Sequence, residues 1–304
     1  MPTPRIPLPI ARALLHPCYR VMLHHRMPWS AQRALLNTAA RIQPLPGGTS
    51  IRVVPLGDRL AERITVGPTS AHGAVLYLHG GGYTVGSLAT HRSLAAHLAR
   101  ETHRPVYLLD YRLAPEHPYP AALHDAVSAF DAVTDVAGCP PGSIAMAGDS
   151  AGGGIALAAA QRLAARGNGT PSALALMSPW TNPTLRAARP RDLVVNRSWG
   201  FACAAAYLGD GDPTDPRYAP LLGTMTGLPP TYVFTSTREL LYEQCVELAA
   251  SLRRAGVRTK YVESPTLWHA AQIQAGMVKE AAESLRDVGA FLKSHWSDRA
   301  EPRR

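Results

Sequence analysis

The chain has 304 residues, 46% of them hydrophobic, which suits one large core built on a single sheet with insertions. No stretch is long and apolar enough to read as a membrane span, and Pro7, Pro9, Arg12, His16 and Pro17 break up what could have been a secretory apolar segment. The net charge of +9 sits at one end, because Arg5, Arg12, Arg20, Arg26, Arg33, Arg41 and Arg52 all precede the first acid, Asp58; with no aromatic–basic array, this argues against a nucleic-acid surface.

Residues 11–40 read as one or two helices, broken near Met27-Pro28, with Ser30 placed to cap the second. Ile10, Leu14, Val21 and Met22 fall near one face at helical spacing. That face suits a helix packed on the protein with its arginines solvated, which is the expectation, or a cationic helix in weak contact with an anionic membrane surface. A Pro/Gly loop over 43–48 follows, then strands over 51–54, 63–66 and 74–78. Beyond them, strands at 106–109, 144–147, 173–177, 232–235 and 259–262 alternate with helices at 121–133, 152–166, 241–255 and 278–295. This order predicts a mostly parallel sheet with helices on both faces and right-handed crossovers. Residues 181–222 interrupt the rhythm; they are rich in Arg, Asp and Pro and too long for a simple connection. Cys18, Cys139, Cys203 and Cys245 are far apart and lack metal-ligand spacing, so idle thiols in a reducing, cytoplasmic compartment are expected.

Two short motifs carry chemistry. Gly148-Asp149-Ser150-Ala151-Gly152 lies between an apolar strand and an Ala-rich helix, where a nucleophile elbow must lie. Its glycines allow a tight turn that lifts the Ser150 oxygen clear of the sheet, over a helix N-terminus that favours negative charge. Asp149 should point away from the pocket. His79-Gly80-Gly81-Gly82-Tyr83 follows the 74–78 strand and leaves backbone N–H groups uncovered, as an oxyanion hole requires. A plain glycine turn or a phosphate loop would uncover the same amides, but the pairing with a downstream serine elbow is far more specific than either motif.

With these motifs the chain resembles the hormone-sensitive-lipase-like (bacterial family IV) esterases of the α/β-hydrolase fold. The resemblance extends through Asp110-Tyr111-Arg112-Leu113-Ala114-Pro115-Glu116-His117-Pro118, Ser178-Pro179-Trp180 and Gly227-Leu228-Pro229-Pro230. It implies a Ser-acid-His triad, oxyanion donation by Gly81, Gly82 and Ala151, and a helical cap. The cap would comprise residues 1–45 and the insertion 181–222, over a core of 46–180 and 223–304.

The base should follow the last strand, where His269 is the only histidine before the closing helix. The residues after it, Ala270-Ala271-Gln272, depart from the Gly or Val then Phe common in the family, which changes the pocket rim. The acid should follow the 232–235 strand, where many relatives carry Asp; here Glu239 takes that place, with Glu243 one turn on as the alternative. Tyr83 and Trp268, beside the glycine loop and His269, are expected to touch substrate. Arg112, Glu116 and Asp125 are expected as polar struts beneath the site.

The function expected is a serine carboxylic-ester hydrolase for small to medium acyl esters, with no cofactor or metal. A lactone hydrolase or an acetyl hydrolase would use the same machinery. A peripheral membrane lipase and a non-catalytic ligand-binding relative are lesser readings, the latter weakened because His269 is kept. A homodimer stays open.

Overall fold

The computed structural model describes residues 6–70, 72–167 and 169–296, so Arg5 of the basic segment lies outside the described residues. Eight strands form one sheet: β1 Thr49–Leu56, β2 Arg59–Val66, β3 Ala74–Leu78, β4 Val106–Leu109, β5 Ile144–Asp149, β6 Leu174–Met177, β7 Thr231–Ser236 and β8 Thr259–Ser264. Their order is β1-β2-β4-β3-β5-β6-β7-β8, antiparallel at the β1/β2 and β2/β4 pairs and parallel elsewhere.

The central strands β3 to β7 are buried at every residue, as a parallel sheet covered on both faces demands. Alternation sends Leu76 and Leu78 into one apolar layer, and Val75 and Tyr77 into the other. The first layer lies under α4 (Ala121–Ala137), α5 (Ser150–Arg166) and α7 (Tyr242–Arg254); the second lies under α3 (Leu88–Thr102) and α8 (Lys279–Ser294). Among the described residues, no helix is long and apolar enough to cross a membrane.

Most predicted elements are present within a few residues. Helix α3 is not among them. It starts with a capping box in which Ser87 accepts from Thr90 N–H and the Thr90 hydroxyl serves the Ser87 N–H. Thr stands where Glu or Gln would mark such a box in sequence. The N-terminal region splits as expected, into α1 (Leu8–Met22) and α2 (Trp29–Ala40), but Pro28, not Ser30, occupies the N-cap of α2. Ser30 lies inside the first turn, and proline at the helix entry already supplies the fixed φ.

Helices α1 and α2 and the insertion, with its helix α6 (Arg197–Leu208), lie over the carboxyl ends of the strands. Three side chains tie these pieces together. Gln32 is fully buried; its amide donates to the carbonyls of His24 and Met27 while its oxygen accepts from Trp199 Nε1 at 2.8 Å. Asn196 caps α6 through Trp199 N–H and donates to Leu23 O. Arg33 reaches down to the carbonyls of Thr84 and Ala114 and makes a two-pronged pair with Glu116.

Candidate active site

Strand order reverses around β3: the chain leaves it on one side to form β4 and returns to its other side as β5. Such a reversal opens a crevice at the carboxyl ends of the strands. Every residue singled out for chemistry lies there, in the loops that leave β3, β5, β7 and β8.

Ser150 begins α5 directly after β5 with φ +50°, a left-handed conformation uncommon outside glycine. The flanking glycines explain how the turn fits. A Cβ on Gly148 would lie 2.6 Å from the Gly152 carbonyl carbon, and one on Gly152 would lie 2.1 Å from Leu78 O. Neither position has room for a side chain, so the sheet and helix close tightly around Ser150, which is itself buried.

His269 Nε2 sits 2.9 Å from Ser150 Oγ, and its Nδ1 faces Glu239 Oε2 at 3.6 Å. That separation is an ion-pair distance; such contacts tighten when the imidazole is charged. Glu239 is completely buried and its carboxylate is clamped, Oε1 by the Thr235 hydroxyl at 2.8 Å and Oε2 by the Ser178 hydroxyl at 2.6 Å. Burial pulls the His269 pKa down, but the facing carboxylate of Glu239, with Asp192 and Asp149 adding, leaves it above the ordinary histidine value. Glu243, in the first turn of α7, is exposed and is not brought to His269.

The glycine loop is braced from below. Gly80 N–H donates to Asp149 Oδ1 at 3.0 Å, and Asp149 also accepts from Tyr77 OH and lies 3.3 Å from His91 Nε2. Asp149 is buried, and these partners hold its carboxyl below the usual range despite the opposing cost of burial. Its carboxylate is thus turned into this cluster, and both Asp149 and His91 are among the residues that line the cavity. Gly80 N–H is engaged, whereas those of Gly81 and Gly82 have no protein acceptor among the described residues. Gly81 has φ +127° and Gly82 φ +60°. A Cβ on Gly82 would meet the Trp199 ring at 2.7 Å and Cys203 Sγ at 2.8 Å, so α6 presses directly on the loop. Ala151 N–H, in the first turn of α5, has no intrahelical acceptor.

An apolar cavity of about 190 Å³ runs from Ser150, His269 and the glycine loop outward between α1 and α2. Leu15, Tyr19, Met22, Leu36, Val195 and Trp199 supply its outer wall. Tyr83 and Trp268 are not part of its lining. The Tyr83 ring stacks on Tyr207 at 3.9 Å and donates to Trp180 O, while Trp268 packs in the second apolar layer with its Nε1 on Gln274. Both are structural anchors, because in each case the polar tip is already satisfied inside. Of the three expected struts, Arg112 and Asp125 do pair, at 2.6 Å. Glu116 instead belongs to the Arg33 contact that fastens α2.

Three residues with no role expected from the sequence also shape the site. Ser178, at φ +49°, accepts from Ala270 N–H while donating to Glu239, joining the acid to the histidine loop. Gln244 accepts from the N–H groups of Thr181 and Asn182, where the insertion departs. Asp192, in the insertion, accepts from Val194, Val195 and Leu240 N–H, the last next to Glu239.

Residues 75–273 match the family model for the alpha/beta hydrolase fold. The chain is 35% identical over 248 residues to an acetyl-hydrolase of Streptomyces hygroscopicus, covering 80% of this chain and 82% of that one. It is 33% identical over 271 residues to an esterase of Acinetobacter venetianus, covering 87% and 89%. Among solved structures, an esterase from the bacterial hormone-sensitive lipase family superposes with TM-score 0.88 at 32% identity, over 94% of this chain and 98% of that one. The chain therefore belongs to the hormone-sensitive-lipase-like esterases of the α/β-hydrolase family.

Proposed function

We propose that the chain hydrolyses small to medium acyl esters, with Ser150 as nucleophile, His269 as general base and acid, and Glu239 as the carboxylate partner of His269. One observation carries this reading: His269 bridges Ser150 Oγ at 2.9 Å and Glu239 at 3.6 Å, at the floor of an apolar cavity. Its size supports a short acyl group, since an apolar cavity of roughly 150 Å³ accommodates benzene.

In the first half-reaction His269 Nε2 takes the Ser150 proton as Oγ bonds to the ester carbonyl carbon. The carbonyl oxygen becomes an oxyanion facing the N–H groups of Gly81, Gly82 and Ala151. The imidazolium, held by Glu239, gives its proton to the alkoxide as the C–O bond breaks and alcohol departs. Water then loses a proton to His269 and attacks the acyl carbon. Collapse of the second oxyanion releases carboxylic acid, and His269 returns the proton to Ser150.

Residues 1–45 and 181–222 serve as the cap and 46–180 with 223–304 as the core, a division supported by the outer cavity wall coming from α1, α2 and the insertion. Cys18, Cys203 and Cys245 form no disulfide among the described residues, which supports a cytoplasmic setting. A lactone or an acetylated substrate presents the same carbonyl, and the Streptomyces relative is named an acetyl-hydrolase.

The test is hydrolysis of aryl esters of increasing acyl length beside an ε-lactone and an acetylated amine. A maximum among short to medium acyl esters supports the reading. Turnover of the lactone or the amide well above all esters would reassign the substrate, and no turnover of any acyl compound would overturn it.

A further inference from the structure

The apolar face expected on helix α1 is split: Ile10, Leu14 and Val21 turn outward, whereas Met22 turns inward to the cavity. Ala11 is buried and Leu15, Tyr19 and Met22 line the cavity, so they form the inner face. Ile10, Leu14 and Val21 are 53%, 56% and 61% exposed, and with exposed Pro17 they make one continuous stripe at four-, three- and four-residue steps. Among the described residues, Ile10, Leu14 and Val21 pack against neither apolar layer.

A basic ridge runs beside the stripe. Arg12, His16 and Arg20 follow each other at four-residue steps along α1, with His24 continuing the line. Across shallow grooves the ridge meets Arg191 of the insertion. The one acid there, Asp192, is occupied by the N–H groups of Val194, Val195 and Leu240. Arg20, Arg26 and Arg191 form no ion pair among the described residues. No acidic residue occurs before Asp58, so nothing in this segment offsets the arginines.

The stripe also adjoins the cavity mouth. Cys18 and Ile42 line the cavity and are themselves exposed, Ile42 at 76%. Apolar surface therefore runs without a break from the outer face of α1 into the cleft above Ser150.

We infer that α1 seats the protein on an anionic lipid surface, with Ile10, Leu14 and Val21 entering the acyl boundary and the flanking arginines meeting headgroup phosphates. An apolar stripe edged by arginines is what such an interface selects. A second copy of the chain is a poorer occupant, because a symmetric contact through α1 would set each arginine ridge against its twin. Seated this way, the cavity opens toward the lipid, and an apolar ester reaches Ser150 without crossing water.

The full-length protein is sedimented with vesicles of phosphatidylcholine alone, and of phosphatidylcholine and phosphatidylglycerol in equal parts. It is expected to pellet with the mixed vesicles, to stay in solution with the neutral ones, and to be released by salt. Leu14→Glu with Val21→Glu should weaken binding at least about tenfold, since each loses the burial of a large apolar side chain. Arg20→Gln and Arg26→Gln should each cost about fivefold. Because all four side chains are exposed and outside the cavity lining, hydrolysis of a water-soluble ester should stay unchanged, which also reports on folding and separates this inference from the catalytic one. Failure to pellet, equal binding to neutral vesicles, or undiminished binding by the Leu14→Glu/Val21→Glu variant would each overturn the inference. So would a wild-type dimer that the same variant converts to monomer, since the stripe would then be a self-interface.

Discussion

The floor and the roof of this site are built on opposite principles. In the floor, the two carboxylates are buried and held by named partners, Glu239 by Thr235 and Ser178 and Asp149 by Tyr77 and Gly80, while Gly148 and Gly152 are enclosed by backbone only 2.1 to 2.6 Å from where a side chain would begin. In the roof, α1 and α2 offer mostly aliphatic surface to the cavity, and their polar ties reduce to a few residues such as Gln32, Arg33 and Asn196. A close-packed, hydrogen-bonded floor fixes reacting atoms to fractions of an ångström. An apolar roof with few directional contacts fixes a shape only loosely, which suits selection among acyl chains. Substitutions should accordingly act on turnover in the floor and on binding or selectivity in the roof.

The strongest break of that contrast is Ser150→Ala. With the proposed nucleophile gone, kcat should fall by about 10⁵–10⁶-fold, as for removal of a serine nucleophile elsewhere. The fold should persist, because the loss is one hydroxyl at the cavity edge. Near-normal turnover by a folded variant would remove Ser150 from the mechanism.

Glu239→Gln comes next, at about 10³–10⁴-fold in kcat, whereas Glu243→Gln should stay within about twofold, since an exposed surface change is usually small. The reverse ranking would transfer the acid role. The pH profile sharpens the comparison. Hydrolysis needs a neutral His269, so wild-type activity should be lost as pH falls through a pKa above the ordinary histidine value and should plateau at higher pH. Glu239 supplies the leading upward influence against the downward pull of burial. In Glu239→Gln burial dominates, so the acid limb should move to lower pH while the plateau drops. A limb that stays in place would mean that Glu239 does not sense the imidazole charge.

The floor was far more legible in sequence than the roof, for a physical reason. A serine held at φ +50° between a strand and a helix demands glycine two residues to either side, and an uncovered amide loop demands its own glycines, so the backbone constraint is written in residue types. The roof carries no such constraint. Helix α1 has apolar residues on both its inner and outer faces, Leu15 and Met22 against Ile10, Leu14 and Val21, and periodicity cannot say which set meets the core. Glu116 is expected beneath the site, but its partner Arg33 is 83 residues away and only the fold joins them. Ser178 stands in a stretch that carries the family resemblance, but its role is not legible there, because a serine at the end of a strand looks like any other until Glu239 and Ala270 share its hydroxyl.

Gly82 is where floor and roof touch. Gly82→Ala would drive a methyl group into Trp199 and Cys203 of α6 from a backbone already at φ +60°. Either the loop or the roof must shift. Loss or displacement of one oxyanion donor should cost about 10²–10³-fold in kcat. If the change instead raises KM and leaves kcat intact, the roof has yielded while the loop has held, and Gly82 would be a packing residue alone.

The smallest effect should come from Arg33→Gln, which tests whether the roof acts through binding. Arg33 fastens α2 by four hydrogen bonds: one each to Thr84 O and Ala114 O, and two to Glu116. Its guanidinium also holds the Glu116 carboxyl below the usual range. Glu116 is 55% exposed on its side chain, so the ion pair itself contributes little to stability, and the variant should fold with close to normal resistance to denaturant. What it loses is the directional link between α2 and the turn that follows Gly81 and Gly82. Leu36, Ala39 and Ile42 line the cavity farther along the same segment, so a loosened α2 moves the acyl wall but not His269 or Ser150. The expected outcome is a rise in KM of about two- to fivefold, largest for the longer acyl esters, with kcat nearly unchanged, the pattern of lost ground-state binding. A fall in kcat without a change in KM would mean that Arg33 acts on the oxyanion loop through Thr84, and the division between a catalytic floor and a selective roof would fail at the residue that joins them.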